Sequence, residues 1–442
     1  MPPHDVLHEP PRVAGSLGSE RGLVERFLRY VAIPSQSDAG ATSLPSTEGQ
    51  RELAMLLADE LRALGAADVV LDDRAILTAR LPGTAPDAPA IGFCAHLDTV
   101  DVGLSPVIRP QRLRFEGEDL CLNPAQDIWL RVAAHPEIMP YRGQDILFGD
   151  GTSVLGADNK AAVAVLMTLA ERVLAGSTAD PGGVTYGDIH LAFVPDEEIG
   201  LRGAKAMPLD RFPVAFAYTV DACALGEFVW ETFNAAQATI EIAGVTAHPM
   251  AAKNVLVNPI LVAADLIARL DPDQTPERTE GREGYWWVNN MTANQAGARL
   301  SVSIRDFDAA RFAARKQAVL DAVAATAERF PRARLTCRID DTYGNIADAL
   351  GPDRSSVDLA TEAMRRLQIA PNVIAMRGGT DGSALSARGI PTPNLFTGGL
   401  NFHSRFEFLP VPSFCRSLEL VDAICRLAAA RTGQEDGAGS AP

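Results

Sequence analysis

Ile189-His190-Leu191-Ala192-Phe193-Val194-Pro195-Asp196-Glu197-Glu198 is an apolar run of strand length that stops abruptly at three acids. A strand apolar along its whole length belongs inside a sheet covered on both faces. Acids just past its end would face the crevice where such sheets hold ligands. The design recurs along the chain. Residues 90–94 are apolar and lead into Ala95-His96-Leu97-Asp98, and 216–220 lead into Asp221.

Helical spacing fills the intervals. Leu23, Phe27, Tyr30 and Val31 share one helix face; so do Leu53, Leu56, Leu57, Leu61 and Leu64, before a stop at Gly65. Residues 159–173 form a long Ala- and Val-rich helix. Strands alternating with helices predict an α/β fold with a sheet flanked by helices. From about Asn234 the pattern changes: strand 238–242, helix 259–270, strands 285–290 and 300–304, helix 309–330, strand 334–339. That β-α-β-β-α-β order is that of a ferredoxin-like α+β domain. After Tyr343 the larger domain resumes with 357–367, 377–386, 393–407 and 412–431. The chain therefore reads as one discontinuous domain, 20–229 and 343–432, with a second domain, 230–342, inserted in it. Residues 1–19 and 433–442, polar and rich in Gly or Pro, read as disordered tails.

A length of 442 residues agrees with two cores rather than one. The 40 basic and 56 acidic residues give a net charge of -16, which argues against nucleic acid or anionic membrane as a partner. The longest mainly apolar stretch, 161–170, is too short to span a bilayer, and the first residues carry no secretory signal. A cytoplasmic protein is expected. Six scattered cysteines without a CxxC pair predict reduced thiols rather than a zinc ribbon or a disulfide framework.

Five segments end in acids or imidazoles: 95–98, Gly156-Ala157-Asp158-Asn159-Lys160, 195–198, Val220-Asp221 and Asn401-Phe402-His403. Singly each has a plain explanation. Asp158 could cap the following helix, 196–198 could be a solvated turn, and His403 could be a satisfied core or surface histidine. Together, at successive strand ends, they suit a pair of zinc ions, which take His nitrogen and carboxylate oxygen. Two Zn²⁺ against Asp158, Glu198 and Asp221 leave one charge for a bridging hydroxide. The other glutamate of the pair is then free to move protons. Cobalt or manganese would suit overlapping ligands.

The set resembles the M20 metallopeptidase family, and within it the tripeptide aminopeptidases. The resemblance lies in 92–99 (Gly-Phe-Cys-Ala-His-Leu-Asp-Thr), 155–161, Pro195-Asp196-Glu197-Glu198-Ile199-Gly200, Ile304-Arg305-Asp306-Phe307-Asp308, Arg377-Gly378-Gly379-Thr380-Asp381-Gly382 and 396–403. It implies that His96 and Asp221 bind one zinc, that Glu198 and His403 bind the other, and that Asp158 bridges. It also implies that Glu197 is the general base, with Asp98 orienting His96. The inserted domain becomes a lid, with a homodimer through it as an expectation. His248 would polarise the scissile carbonyl. Arg305, Arg377, Lys253 and Asn254 are candidates for the rest of the peptide, since a cation at a fixed distance from the metals would measure peptide length.

Three departures flank the substrate side. The branch usually has Asp-Gly-Gly where this chain has Asp221-Ala222-Cys223. It usually has Asn-Tyr-His-Gly-Lys-His-Glu-Phe where this chain has Asn401-Phe402-His403-Ser404-Arg405-Phe406-Glu407-Phe408. After the lid histidine, His248-Pro249-Met250-Ala251 replaces a tendency to glycine. The expected activity is removal of the N-terminal residue from short peptides, most of all tripeptides. A dipeptidase, carboxypeptidase or N-acyl amino acid deacylase is the alternative on the same fold, and a zinc-binding interaction module without catalysis is a reading of a different class.

Overall fold

The computed structural model describes residues 20–85, 87–179 and 185–435. Two compact units divide the chain: Met1–Trp230 with Pro352–Ile374 and Thr380–Pro442, and Glu231–Gly351 with Ala375–Gly379. The expected tail at 1–19 lies outside the described residues, as does 436–442. The last helix, Val411–Glu435, runs three residues into the other stretch expected to be a tail.

An eight-stranded mixed sheet forms the centre of the first unit. Its order is Ala67–Leu71, Leu77–Leu81, Ile189–Val194, Ile91–His96, Phe216–Ala222, Asn394–Phe396, Glu227–Thr232, Asn372–Met376. The four strands from Ile189–Val194 to Asn394–Phe396 run parallel, with antiparallel neighbours on both sides. Parallel strands end at the same edge, so Asp196-Glu197-Glu198, His96-Leu97-Asp98 and Asp221 are delivered to one place. Every residue of Ile189–Val194 and Ile91–His96 is buried, as strands covered on both faces require. The helix Ala157–Ala179 packs on one face, beside Glu20–Val31 and Val411–Glu435, while the short helix Asp381–Ala387 lies against the strands Ile91–His96 and Phe216–Ala222. As expected, the helix Glu48–Leu64 stops at Gly65, whose φ of +89° suits glycine alone.

Residues 100–155 hold structure that the sequence reading passed over. Gln111–Phe115, Gln144–Phe148 and Phe408–Pro410 form a three-stranded sheet, with a hairpin of Leu120–Asn123 and Ile128–Leu130 nearby, around a core of its own. These strands are three to five residues long, too short for a period to show.

The second unit has the expected order: Asn234–Ala243, helix Pro259–Ile267, Tyr285–Ala293, Gly297–Asp306, helix Ala309–Arg329, Arg334–Tyr343. The sheet is antiparallel throughout, and the first of these strands pairs with both the third and the fourth. Ile240, Ile242, Val262, Leu266, Val302 and Ile304 form its core against the two helices.

Gly203 follows the strand-end acids, and its N–H donates to Pro195 O at 2.9 Å. A methyl group there would come 2.3 Å from that oxygen. Gly203→Ala should push the Asp196-Glu197-Glu198 turn outward and cost about 1–3 kcal/mol, read as a lower urea midpoint for the first unit. An unchanged midpoint would show that the turn can yield.

Candidate metal centre

At the common edge, seven of the side chains named from the sequence come together. The carboxylate of Asp158 sits in the middle. Its Oδ1 lies 2.9 Å from His96 Nε2, and its Oδ2 lies 3.1 Å from His403 Nε2. Asp221 Oδ1 is 3.7 Å from the same His96 nitrogen, and Glu198 Oε1 is 3.0 Å from the same His403 nitrogen. Two trios result, His96 with Asp221 and His403 with Glu198, each sharing one oxygen of Asp158. The Asp158 carboxylate therefore faces two imidazoles, although it stands at the start of the helix Ala157–Ala179.

Hydrogen bonds from elsewhere hold His96, the glutamate turn and Asp221. His96 Nδ1 faces two acceptors on Asp98, the carbonyl at 3.0 Å and the carboxylate at 3.3 Å, which leaves Nε2 to face Asp158. Asp98 is fully buried, and its two oxygens also accept the N–H groups of Glu197 and Glu198, at 3.0 and 3.2 Å. One carboxylate thus fixes both the first histidine and the turn of the paired glutamates. Beneath that turn Asp196 accepts from Ser46 N and Gln50 Nε2, at 2.9 and 2.7 Å, and anchors it to the start of the helix Glu48–Leu64 and the residues just before it. Asn159 Nδ2 donates to Val220 O and to Asp221 Oδ1, at 2.8 and 2.6 Å.

The charges are far from ordinary. Burial opposes a charge on His96, but the carboxylates of Asp158, Asp221 and Asp98 around it outweigh that and raise its pKa well above the usual imidazole value. His403 is pushed up to about 10 by its bonds to Asp158 and Glu198. Burial would raise Asp158, yet the two histidines hold it well below the carboxylate range. Burial, then the Asp158 charge, raises Glu198 to about 7 and Asp221 to about 6. Glu197 rises well above its normal value, through burial first. The His96 charge opposes this, and Asp221, Asp381 and Glu198 add to it.

The donor set fits a pair of small divalent cations. Two atoms bound to one tetrahedral ion at ~2.0–2.2 Å lie about 3.3–3.6 Å apart, and the four gaps given above, 2.9–3.7 Å, bracket that spacing. Ligand atoms of His96, Asp158 and Glu198 lie within 4.8 Å of one another. Glu198 Oε1 is buried, with His403 Nε2 3.0 Å away. His96, Asp158 and Asp221 would hold one ion and His403, Asp158 and Glu198 the other.

The five candidate substrate residues, Lys253 among them, lie in the second unit. His248 precedes a short turn and accepts Met250 N–H. Asn254 has a left-handed φ of +60°. Arg305 donates to the carbonyls of Ala236 and Ile304. Arg377 donates to the carbonyls of Gly281 and Glu283 and to Thr279 Oγ1, and it lies over the rings of Phe233 and Tyr285. Its donors hold a loop of its own unit. Asp381 was given no role from sequence. It is buried, both its oxygens lack a hydrogen-bond partner among the described residues, and its pKa is raised well above the usual value, by burial above all. A buried acid inside a Gly-rich segment was the available signal.

A peptidase T-like protein of Yersinia pestis is 58% identical to this chain over 407 residues, 92% of this chain and 98% of that protein. The chain belongs to the peptidase T family of M20 peptidases. Peptidase T of Aeromonas salmonicida matches at 42% over 412 residues, 93% of this chain and 99% of that protein. The family's domain described as a peptidase dimerisation domain matches residues 230–331. The crystal structure of the aminopeptidase PepT from Bacillus cereus shares the fold, with a TM-score of 0.72 at 23% identity, over 94% of this chain and 100% of that one. Within the family, this chain is more similar to the relative named peptidase T-like than to the Aeromonas peptidase T.

A cation entering this cluster must displace protons from the raised histidines and from Glu198. Its affinity should therefore rise with pH, by roughly tenfold per unit for each proton displaced. Calorimetric titration with Zn²⁺ should show tighter binding and proton release at pH 8 than at pH 6; a flat affinity would contradict the ligand set.

Proposed function

We propose that this chain is a metal-dependent aminopeptidase that removes the N-terminal residue from short peptides, tripeptides above all, using two zinc ions. One observation carries the reading: the two oxygens of Asp158 each face a different histidine–carboxylate pair. Membership of the peptidase T family supports the substrate class. Bound in the two trios, zinc would polarise the scissile carbonyl and bring the pKa of water near neutrality.

Glu197 then handles the proton. It follows Asp196, whose φ of +58° is a left-handed turn, and its backbone N–H is fixed by Asp98. Burial makes its carboxylate more basic, so in the ionised form it can take a proton from the attacking water and then give it to the leaving amine. Glu198, the next residue, faces His403 instead and keeps to the ligand role. The match to a peptidase dimerisation domain supports pairing of two copies through the second unit. All six cysteines are free thiols, which favours a reducing compartment such as the cytoplasm. No described helix is long and apolar enough to cross a membrane.

Leu-Ala-Gly separates the rival activities. Free leucine with Ala-Gly supports an aminopeptidase; free glycine with Leu-Ala would make it a carboxypeptidase, and an intact peptide beside a cleaved dipeptide would make it a dipeptidase. Loss of activity with a chelator and its return with Zn²⁺ tests the metal requirement. Glu197→Gln should retain both ions and lose turnover by ~10²–10⁴-fold, whereas Glu198→Gln should lose one ion. Equal metal content in the two variants, by elemental analysis, would undo the division of labour.

A further inference from the structure

Glu407 has no part in the reading above, yet it is built into the centre. The residue is 1% exposed, and its carboxylate accepts three backbone N–H groups. Leu155 and Gly156 donate to Oε2 at 2.7 and 2.9 Å, and Asp158 donates to Oε1 at 3.0 Å. All three donors belong to the segment that delivers the Asp158 carboxylate. Glu407 also belongs to the His403 loop: its own N–H donates to Ser404 O, and Leu400 and Phe408 pair across the neck of that loop. From the other side Asn401 Nδ2 donates to Glu137 Oε1 at 2.6 Å. The loop needs such bracing, because Asn401 and His403 have φ of +56° and +60°, a region that residues other than glycine seldom occupy.

The opposite flank of Asp158 is tied differently. There Asn159 joins the segment to Val220 O and Asp221 Oδ1. One trio, His96 with Asp221, is thus referenced to the sheet through Asn159. The other, His403 with Glu198, is referenced to Asp158 through Glu407. We propose that Glu407 is a positioning residue that fixes His403 against Asp158, and so sets the affinity of the cation site formed with Glu198 and not that of the site formed with Asp221. This rests on the two-ion reading given above. A glutamine there would offer one carbonyl oxygen and turn its NH₂ toward N–H donors, leaving at least one buried N–H unpaired.

The test uses the full chain, stripped of metal and titrated with Co²⁺, followed by calorimetry and visible absorption. Wild type should take two ions. Glu407→Gln should bind the first within twofold of wild type and the second about tenfold or more weaker. Its kcat should fall at limiting Co²⁺ and recover in excess, with KM for a tripeptide unchanged. Thermal unfolding of the metal-free proteins checks the fold. If the Gln variant does not fold, Glu407→Asp, which keeps the carboxyl group but falls short by one methylene, is read in the same way. Equal weakening of both sites, wild-type affinity at both, or failure of both variants to fold would overturn the proposal. Wild type holding fewer than two ions would instead sink the two-ion reading, and the proposal with it.

Discussion

Like charges held close together in a dry space repel, and a buried carboxylate without a partner is costly. The edge of the parallel strands gathers Asp98, Asp158, Glu197, Glu198 and Asp221, with the buried Asp381 among the charges that act on them. Two histidines and a few N–H donors answer only part of that negative charge. The raised pKa values of Glu197, Glu198 and Asp221, beside the strongly lowered Asp158, express the conflict. The arrangement makes sense as a receptor for concentrated positive charge, which would relieve the repulsion.

Such a cluster keeps its shape only if the backbone cannot yield. Parallel strands provide the first restraint, since their ends are fixed by pairing on both sides. Small polar groups provide the second. Asp98 joins a histidine to the glutamate turn, Asp196 fastens that turn to Ser46 and Gln50, and Asn159 links the Asp158 segment to Asp221. Each of these residues stands beside a ligand in sequence or holds its neighbour in space. The result is a set of side chains oriented by the protein's own hydrogen bonds.

Most of the clustered side chains stand out in the sequence because His96, Asp158, Glu198 and Asp221 lie at a strand end or a helix start, where apolar pattern and sudden charge meet, whereas His403 lies in a loop. Ile189–Val194 followed by Asp196-Glu197-Glu198 is the clearest case. The β-α-β-β-α-β order of the second unit was legible for the same reason, its strands and helices being long enough to show a period. What stayed hidden acts over distance or in short pieces. Glu407 looks like an ordinary acid in a loop until its three donors, about 250 positions earlier in the chain, are seen around it. The short strands between Gln111 and Phe148, and the strands Glu227–Thr232 and Asn372–Met376 toward one side of the large sheet, left no usable pattern. Arg377 is a candidate grip for a substrate carboxylate; its donors meet carbonyls and a threonine of its own unit, a pairing that nothing adjacent to it in the sequence announces.

The cluster is unevenly shielded. The side chain of His96 is 2% exposed, whereas that of His403 is 46% exposed. Solvent and competing chelators therefore reach one half of the centre and not the other. With two ions bound as proposed, depletion would follow a sequence, the ion beside His403 departing first, so that half-loaded molecules would form a single species rather than an even mixture. Metal exchange in such a population would show two well-separated lifetimes.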